Sequence, residues 1–181
     1  MIMKYVALLR GINVGGHTRV EMRKLKLVFE KAGCTRVSTY INSGNVVFSD
    51  TRTIAELHRL LEAAIFEAFE VEVPIVLRTQ SQIEQICEEI PESWTNDTVQ
   101  KTDVMFLWDE IDSKDILHKV KIKPEIERVK YLSGALVWNI GRENVTRGNG
   151  IKLIKTDLYQ HMTVRNINTV RKLNSLMNAA H

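Results

Sequence analysis

Apolar positions along this chain follow two periods, and the switches between them divide it into short elements. Tyr5 to Leu9 is an unbroken apolar run, which predicts a strand covered on both faces. Met22, Leu25, Val28, Phe29 and Ala32 recur at helical spacing until Gly33 stops the pattern. Val37, Thr39 and Ile41 alternate with Ser38 and Tyr40 and predict a strand nearer a sheet edge. Val46 to Phe48 predicts the next, with Asn42-Ser43-Gly44-Asn45 between them as a hairpin turn. Thr53 with Glu56 forms a capping box for a helix whose Ile54, Leu57, Leu61, Ala64, Ile65 and Ala68 share a face. Val73 to Leu77 closes this first series.

A second capping box, Ser81 with Glu84, predicts a connecting helix carrying Ile83, Ile86, Cys87 and Ile90, which Pro91 ends. Polar residues then dominate as far as Gln100. Beyond them a similar series begins: a strand at Val104 to Trp108, a short helix at Ser113 to Val120, and a hairpin of Ile126 to Leu132 with Ala135 to Ile140 around Ser133-Gly134. Ile151, Ile154 and Leu158 fall on one helical face. An extended piece at Met162 to Arg165 leads into a last helix burying Ile167, Val170, Leu173 and Met177. The order β-α-β-β-α-β places the chain in the α+β class, as two tandem ferredoxin-like subdomains (α-β plait, split βαβ) with extra helices. The expected partition is 1–79 for the first subdomain, 80–100 for the connecting helix and linker, and 101–181 for the second with the C-terminal helix.

Composition narrows the class without naming an activity. Apolar residues at 44% and charged residues at 26% of 181 suit a globular protein. Tyr5 to Leu9 is too short for a membrane span and lacks the features of a signal peptide, so a cytoplasmic protein with no membrane partner is expected. Cys34 and Cys87, far apart in sequence, read as reduced thiols rather than a bridge or metal ligands. The net charge of +3 is uneven: residues 1–118 hold 13 Lys/Arg and 18 Asp/Glu, residues 119–181 hold 12 and 4. Such a bias serves a nucleic-acid partner or attracts the acidic half of the same protein.

Candidate chemistry gathers in loops. Arg10-Gly11-Ile12-Asn13-Val14-Gly15-Gly16-His17-Thr18 is rich in glycine, which lets a backbone turn tightly and a ligand approach its amides. Gly11 to Thr18 reads Gly-x-x-x-x-Gly-His-Thr, one substitution from a phosphate loop, but His17 stands where that loop needs lysine. A β-α-β crossover carries the C-terminal ends of the first two strands to one sheet edge. This loop and the Asn42 turn are therefore expected about 10 Å apart, with one strand between them. The residues expected to bind a ligand there are Arg10, Asn13, Gly15, Gly16, His17, Asn42, Ser43 and Asn45. Asn and Gly are also what tight turns require. Near the C-terminus, Asn166 reads as a helix cap and Arg165 as either a neighbour of that cap or part of an anion pocket. No pattern for a metal centre, a nucleophile elbow or a two-metal site is present, so no metal or cofactor is assigned. Tyr5 and Phe48 fall on the two middle strands, as stacking aromatics do in RNA-recognition domains. The Lys/Arg-Gly-aromatic pattern is replaced by Gly44-Asn45-Val46-Val47-Phe48.

Three blocks together, Tyr5 to Gly16, Tyr40 to Phe48 and Thr163-x-Arg165-Asn166-x-x-Thr169-Val170, resemble a bacterial family known as domain of unknown function 1697. The resemblance implies tandem ferredoxin-like subdomains and carries no activity, substrate or cofactor. The expected function is that of a cytoplasmic protein binding an anionic or nucleotide-like small molecule at the shared loop edge. Two alternatives stand beside it: a nucleic-acid-binding module using the basic C-terminal half, and an enzyme with His17 as acid or base.

Overall fold

A computed structural model describes residues 1–16 and 18–179. In order they form β1 (Met3–Leu9), α1 (Met22–Lys31), β2 (Thr35–Tyr40), β3 (Asn45–Asp50), α2 (Ile54–Phe69), β4 (Ile75–Thr79), α3 (Gln80–Glu89), β5 (Gln100–Leu107), α4 (Ile116–Lys119), β6 (Glu127–Leu132), β7 (Ala135–Gly141), β8 (Met162–Asn166) and α5 (Ile167–Asn178), with 3-10 turns between several of them. The class is α+β, built on two four-stranded antiparallel sheets. The chain divides into two compact units, Met1–Ile83 with Leu173–His181, and Glu84–Lys172. These divisions fall inside α3 and α5, whereas the sequence pattern cuts the chain near 79 and 101. Among the described residues no helix is long and apolar enough to cross a membrane.

In the first unit the strand order is β2-β3-β1-β4. Alternation places Tyr5, Ala7 and Leu9 on the face that packs against Leu25 and Phe29 of α1 and Leu57, Leu61 and Ile65 of α2. Phe48 stacks on Tyr5 with ring centroids 5.6 Å apart and meets the edge of Phe29 at 5.3 Å. Both aromatics on the middle strands are thus core residues, 2% and 1% exposed, and no base-stacking platform. Val6, Leu8 and Val76 point the other way and are buried as well, which is why β1 reads as unbroken apolar sequence.

Helix α2 starts at the predicted box, with the Thr53 hydroxyl accepting from Glu56 N–H and the Glu56 carboxylate accepting from Thr53 N–H. The box predicted at Ser81 and Glu84 lies two residues earlier. Gln82 N–H donates to Thr79 Oγ1 at 3.3 Å and Thr79 N–H to Gln82 Oε1 at 2.9 Å. Strand β4 runs straight into α3, so the hydroxyl at the junction caps the helix. Where β1 begins and β3 ends, Asp50 binds Arg52 through Nε at 2.9 Å and Nη2 at 2.6 Å. Arg52 Nη2 also donates to Ala32 O, at the end of α1. These bonds to Arg52 hold the Asp50 carboxyl down at about 2. Burial, helped by the neighbouring Asp50 charge, pushes the Cys34 thiol beside it up to about 12.

The second unit has the order β6-β7-β5-β8. Its sheet buries Met105, Leu107, Leu136, Trp138 and Met162 beneath Ile116 of α4 and Leu153. Among the described residues no helix comparable to α2 covers this face. The segment predicted as a helix through Ile151, Ile154 and Leu158 is instead two 3-10 turns, Gly150–Lys155 and Asp157–His161. Ile151 and Ile154 are 51% and 55% exposed there, and Leu153 is the residue that packs inward. The preceding loop explains the failure. A Cβ on Gly148 would lie 2.5 Å from Glu127 Oε1, and one on Gly150 2.8 Å from Trp138 Nε1. The backbone is pinned so close to the sheet that an α-helical turn has no room to begin.

Candidate functional site

Strands β1 and β2 both run antiparallel to β3, which lies between them, so their C-terminal ends share one edge. The two loops expected at that edge do meet, and they touch. Leu9 N–H donates to Gly44 O at 2.8 Å. Asn13 Nδ2 donates to Asn42 O at 2.8 Å and to Val20 O at 2.9 Å, while its Oδ1 accepts from Val20 N–H at 2.9 Å. Asn13 therefore ties the two loops together, and both of its amide hydrogens are engaged in doing so. Ile12, 2% exposed, fills the space beneath the turn. At Gly44, with φ +83°, an added Cβ would come within 2.7 Å of Ile12 Cδ1 and Leu9 Cβ.

The other predicted residues separate by task. Asn45 is buried and donates from Nδ2 to Tyr40 O and to Ser43 Oγ, both at 2.9 Å, so Asn45 and Ser43 fasten the hairpin. Asn13, Gly16 and Asn42 line an open cleft of about 480 Å³ together with Thr18, Arg19 and Glu21. Arg10 and Gly15 are not among its lining residues. Arg10 is half-buried, with its backbone N–H donating to Pro74 O at 2.9 Å. His17 lies outside the described residues. Arg165 belongs to the second unit and is 6% exposed on β8, donating to Thr163 Oγ1 at 3.0 Å and Val164 O at 2.9 Å. Burial alone brings its pKa down to about 10. Asn166 beside it caps α5 as expected, its Oδ1 accepting from Thr169 N–H at 3.0 Å.

The sequence reading missed a more enclosed concavity, of about 360 Å³, on the thinly covered face of the second sheet. Met105, Trp138, Ile140 and Val164 form its apolar floor, and Ile154 and Tyr159 of the 3-10 turns overhang it. Its polar end carries Lys101 and Asp103, with Lys101 Nζ 2.6 Å from Asp103 Oδ2. One wall is held by Glu127, a carboxylate only 3% exposed. Oε1 of Glu127 accepts from Asn149 N–H at 2.5 Å, Gly150 N–H at 2.9 Å and Trp138 Nε1 at 3.2 Å, and Oε2 from Lys123 N–H at 2.8 Å. These four N–H groups offset the cost of burying the charge. Two signals for this site were legible. Glu127 occupies the inward phase of its strand with Val129 and Tyr131, and Lys101 and Asp103 share the phase of Met105 once β5 is extended back to Gln100. Among the described residues no group of three or more His, Cys, Asp or Glu is placed to hold a metal ion.

A family model described as Protein of unknown function (DUF1697) matches residues 2–138. The chain belongs to that family. The DUF1697 match takes in the loop edge of the first unit and the floor of the pocket as far as Trp138, while the block from Thr163 to Val170 lies beyond it. A solved structure, that of a conserved bacterial protein from Streptococcus pneumoniae, is similar over 98% of this chain and 100% of its own, at 26% identity and a TM-score of 0.86. None of the curated proteins matches the chain. The fold also redraws the charge distribution of this DUF1697 member. The unit Glu84–Lys172 holds 14 Lys/Arg and 14 Asp/Glu, and the remaining residues hold 11 and 8. The basic half seen in linear sequence is therefore no basic unit in space.

Proposed function

We propose that this protein binds a small organic ligand, is built from two tandem ferredoxin-like repeats, and holds the ligand in the pocket of the Glu84–Lys172 unit. The observation that carries the ligand reading is the pocket itself: an apolar floor, a single charged end, and a wall fixed by a fully bonded buried carboxylate. Its volume lies near the lower end of the range of about 300 to 1,000 Å³ typical of small-molecule sites. The repeat reading is supported by matching positions. Each sheet has the order second-third-first-fourth strand of its unit. Leu9 N–H to Gly44 O in one corresponds to Leu107 N–H to Gly134 O in the other. Val6 opposite Arg78 corresponds to Val104 opposite Arg165, and Thr79 and Asn166 each cap the helix that follows at once. Free thiols at Cys34 and Cys87, pushed up by burial to about 12 and about 11, fit a reducing, cytoplasmic setting.

A second reading places an anion at the cleft of the first unit. Helix α1 opens on that cleft with Glu21 making no side-chain cap bond, and Arg19 stands beside it. Uncapped first-turn amides attract negative charge.

One thermal-shift screen against metabolites separates the two. Val164→Phe fills the pocket and Arg19→Ala removes the cation that lines the cleft. A stabilising compound whose effect disappears in Val164→Phe and persists in Arg19→Ala supports the pocket. The reverse pattern supports the cleft, and a screen with no stabilising compound refutes both.

A further inference from the structure

Within the second unit, β5 carries a polarity gradient into the pocket. Lys101, Asp103 and Met105 lie on one face of the strand by alternation. Their partners on β7 are Ile140, Trp138 and Leu136, and Asn166 and Val164 of β8 lie opposite Asp103 and Met105. Moving along the strand toward Leu107, the lining thus changes from a charged pair to an apolar floor. The pair is partly open to solvent, its side chains 39% and 18% exposed for Lys101 and Asp103. The third charge of the pocket, Glu127, is withdrawn from a ligand by its four N–H donors. What a ligand meets is therefore one ammonium and one carboxylate side by side, with no net charge.

We propose that the occupant is an α-amino acid with a bulky apolar side chain, its ammonium received by Asp103 and its carboxylate by Lys101. This rests on the reading of the pocket as a ligand site. Complementarity decides the class. A ligand bearing only a carboxylate takes Lys101 from Asp103 and leaves that carboxylate, the less exposed of the pair, covered and unpaired. A ligand bearing only an ammonium displaces Lys101 in the same way. A zwitterion exchanges the internal pair for two ligand pairs and leaves no charge uncompensated, which matters because a covered charge without a partner is costly. The small volume argues against a nucleotide, whose phosphates would also find only one cation here. Trp138, its indole N–H fixed by Glu127, offers the ligand's side chain a flat surface of set orientation.

The test is calorimetric titration of the full chain with four compounds sharing one phenyl body: L-phenylalanine, phenethylamine, 3-phenylpropionate and 3-phenyl-1-propanol. L-leucine and L-methionine serve as further zwitterions. L-phenylalanine is expected to bind at least about tenfold more tightly than each of the three analogues, a ratio of about 1.4 kcal/mol. Asp103→Asn and Lys101→Met are each expected to weaken L-phenylalanine by about tenfold or more while leaving the alcohol unchanged, a readout that misfolding would not reproduce. Equal affinity for the alcohol and the amino acid overturns the head-group assignment and leaves the pocket reading standing. Equal affinity for phenethylamine makes the site a cation site and overturns it too. If no amino acid binds, the proposal is wrong. The pocket reading falls with it only when the wider metabolite screen is silent as well.

Discussion

Replacing Glu127 asks whether one buried anion holds the pocket wall. Its carboxylate accepts from Lys123, Asn149 and Gly150 N–H groups and from the Trp138 indole. Glu127→Ala deprives all four donors at once. A buried donor left without a partner costs about 1–3 kcal/mol, and water entering the vacated space restores part of this, so the expected loss is about 3–5 kcal/mol. Glu127→Gln keeps a carbonyl oxygen for the three-donor side but turns an NH₂ toward Lys123 N–H, and its expected loss is about 1.5–3 kcal/mol. A domain of ordinary stability has roughly 5–15 kcal/mol in total, so the alanine variant sits near the edge of folding at 25 °C. Urea unfolding followed by far-UV circular dichroism measures the order wild type, Gln, Ala, and hydrogen exchange at the Asn149 and Gly150 amides locates the loss. An alanine variant within about 0.5 kcal/mol of wild type, or unchanged exchange at those two amides, would refute the account.

Other consequences follow from single contacts. Asp50, held at about 2 against an ordinary 3.8, contributes stability that is complete above the ordinary value and lost as pH falls through about 2. The gap between wild type and Asp50→Asn should be about 2 kcal/mol at pH 6 and a few tenths at pH 2, and a pH-independent gap in parallel urea titrations would contradict this. Gly44→Ala meets both a left-handed φ and the Ile12 and Leu9 side chains, and should cost about 2–4 kcal/mol by thermal unfolding. Asn13→Ala frees the loop from Val20 and Asn42, so limited proteolysis between residues 14 and 19 should accelerate severalfold while the core transition moves by about 1–3 kcal/mol. Cys34, buried and with its thiol pushed up to about 12, should react with a thiol reagent at pH 8 only as fast as the protein unfolds.

The first unit was legible because its instructions are local. Tyr5 to Leu9, the 3.6-residue spacing from Met22 to Ala32, and the Thr53–Glu56 box each specify an element through neighbours a few residues away, and their order then leaves few topologies. That the Gly-rich loop and the Asn42 turn share an edge also follows from element order. That they touch does not: the reach of the Asn13 carboxamide to Asn42 depends on how far β3 lets the two ends approach, which only the packed sheet decides. The second unit shows the limit more sharply. Ile151, Ile154 and Leu158 have helical spacing, yet a long-range contact of the Gly148 to Gly150 backbone with Glu127 and Trp138 overrides that propensity and leaves a 3-10 path. The pocket exists because this path covers the sheet incompletely, and its lining comes from all four strands of the sheet and from turns that no local pattern links. Charge behaved likewise: the basic residues after His118 fold into one unit with the acidic stretch from Glu84 to Asp115, and the excess seen in the linear chain disappears. Periodicity thus determined which segments form helices and strands in the first half, and the blocks Tyr5 to Gly16 and Tyr40 to Phe48, which lie within the matched residues, pointed to the family. Which polar groups fasten loops and which face an open cavity was decided by tertiary contacts, because a side chain's role depends on whether a partner from distant sequence arrives within hydrogen-bond reach.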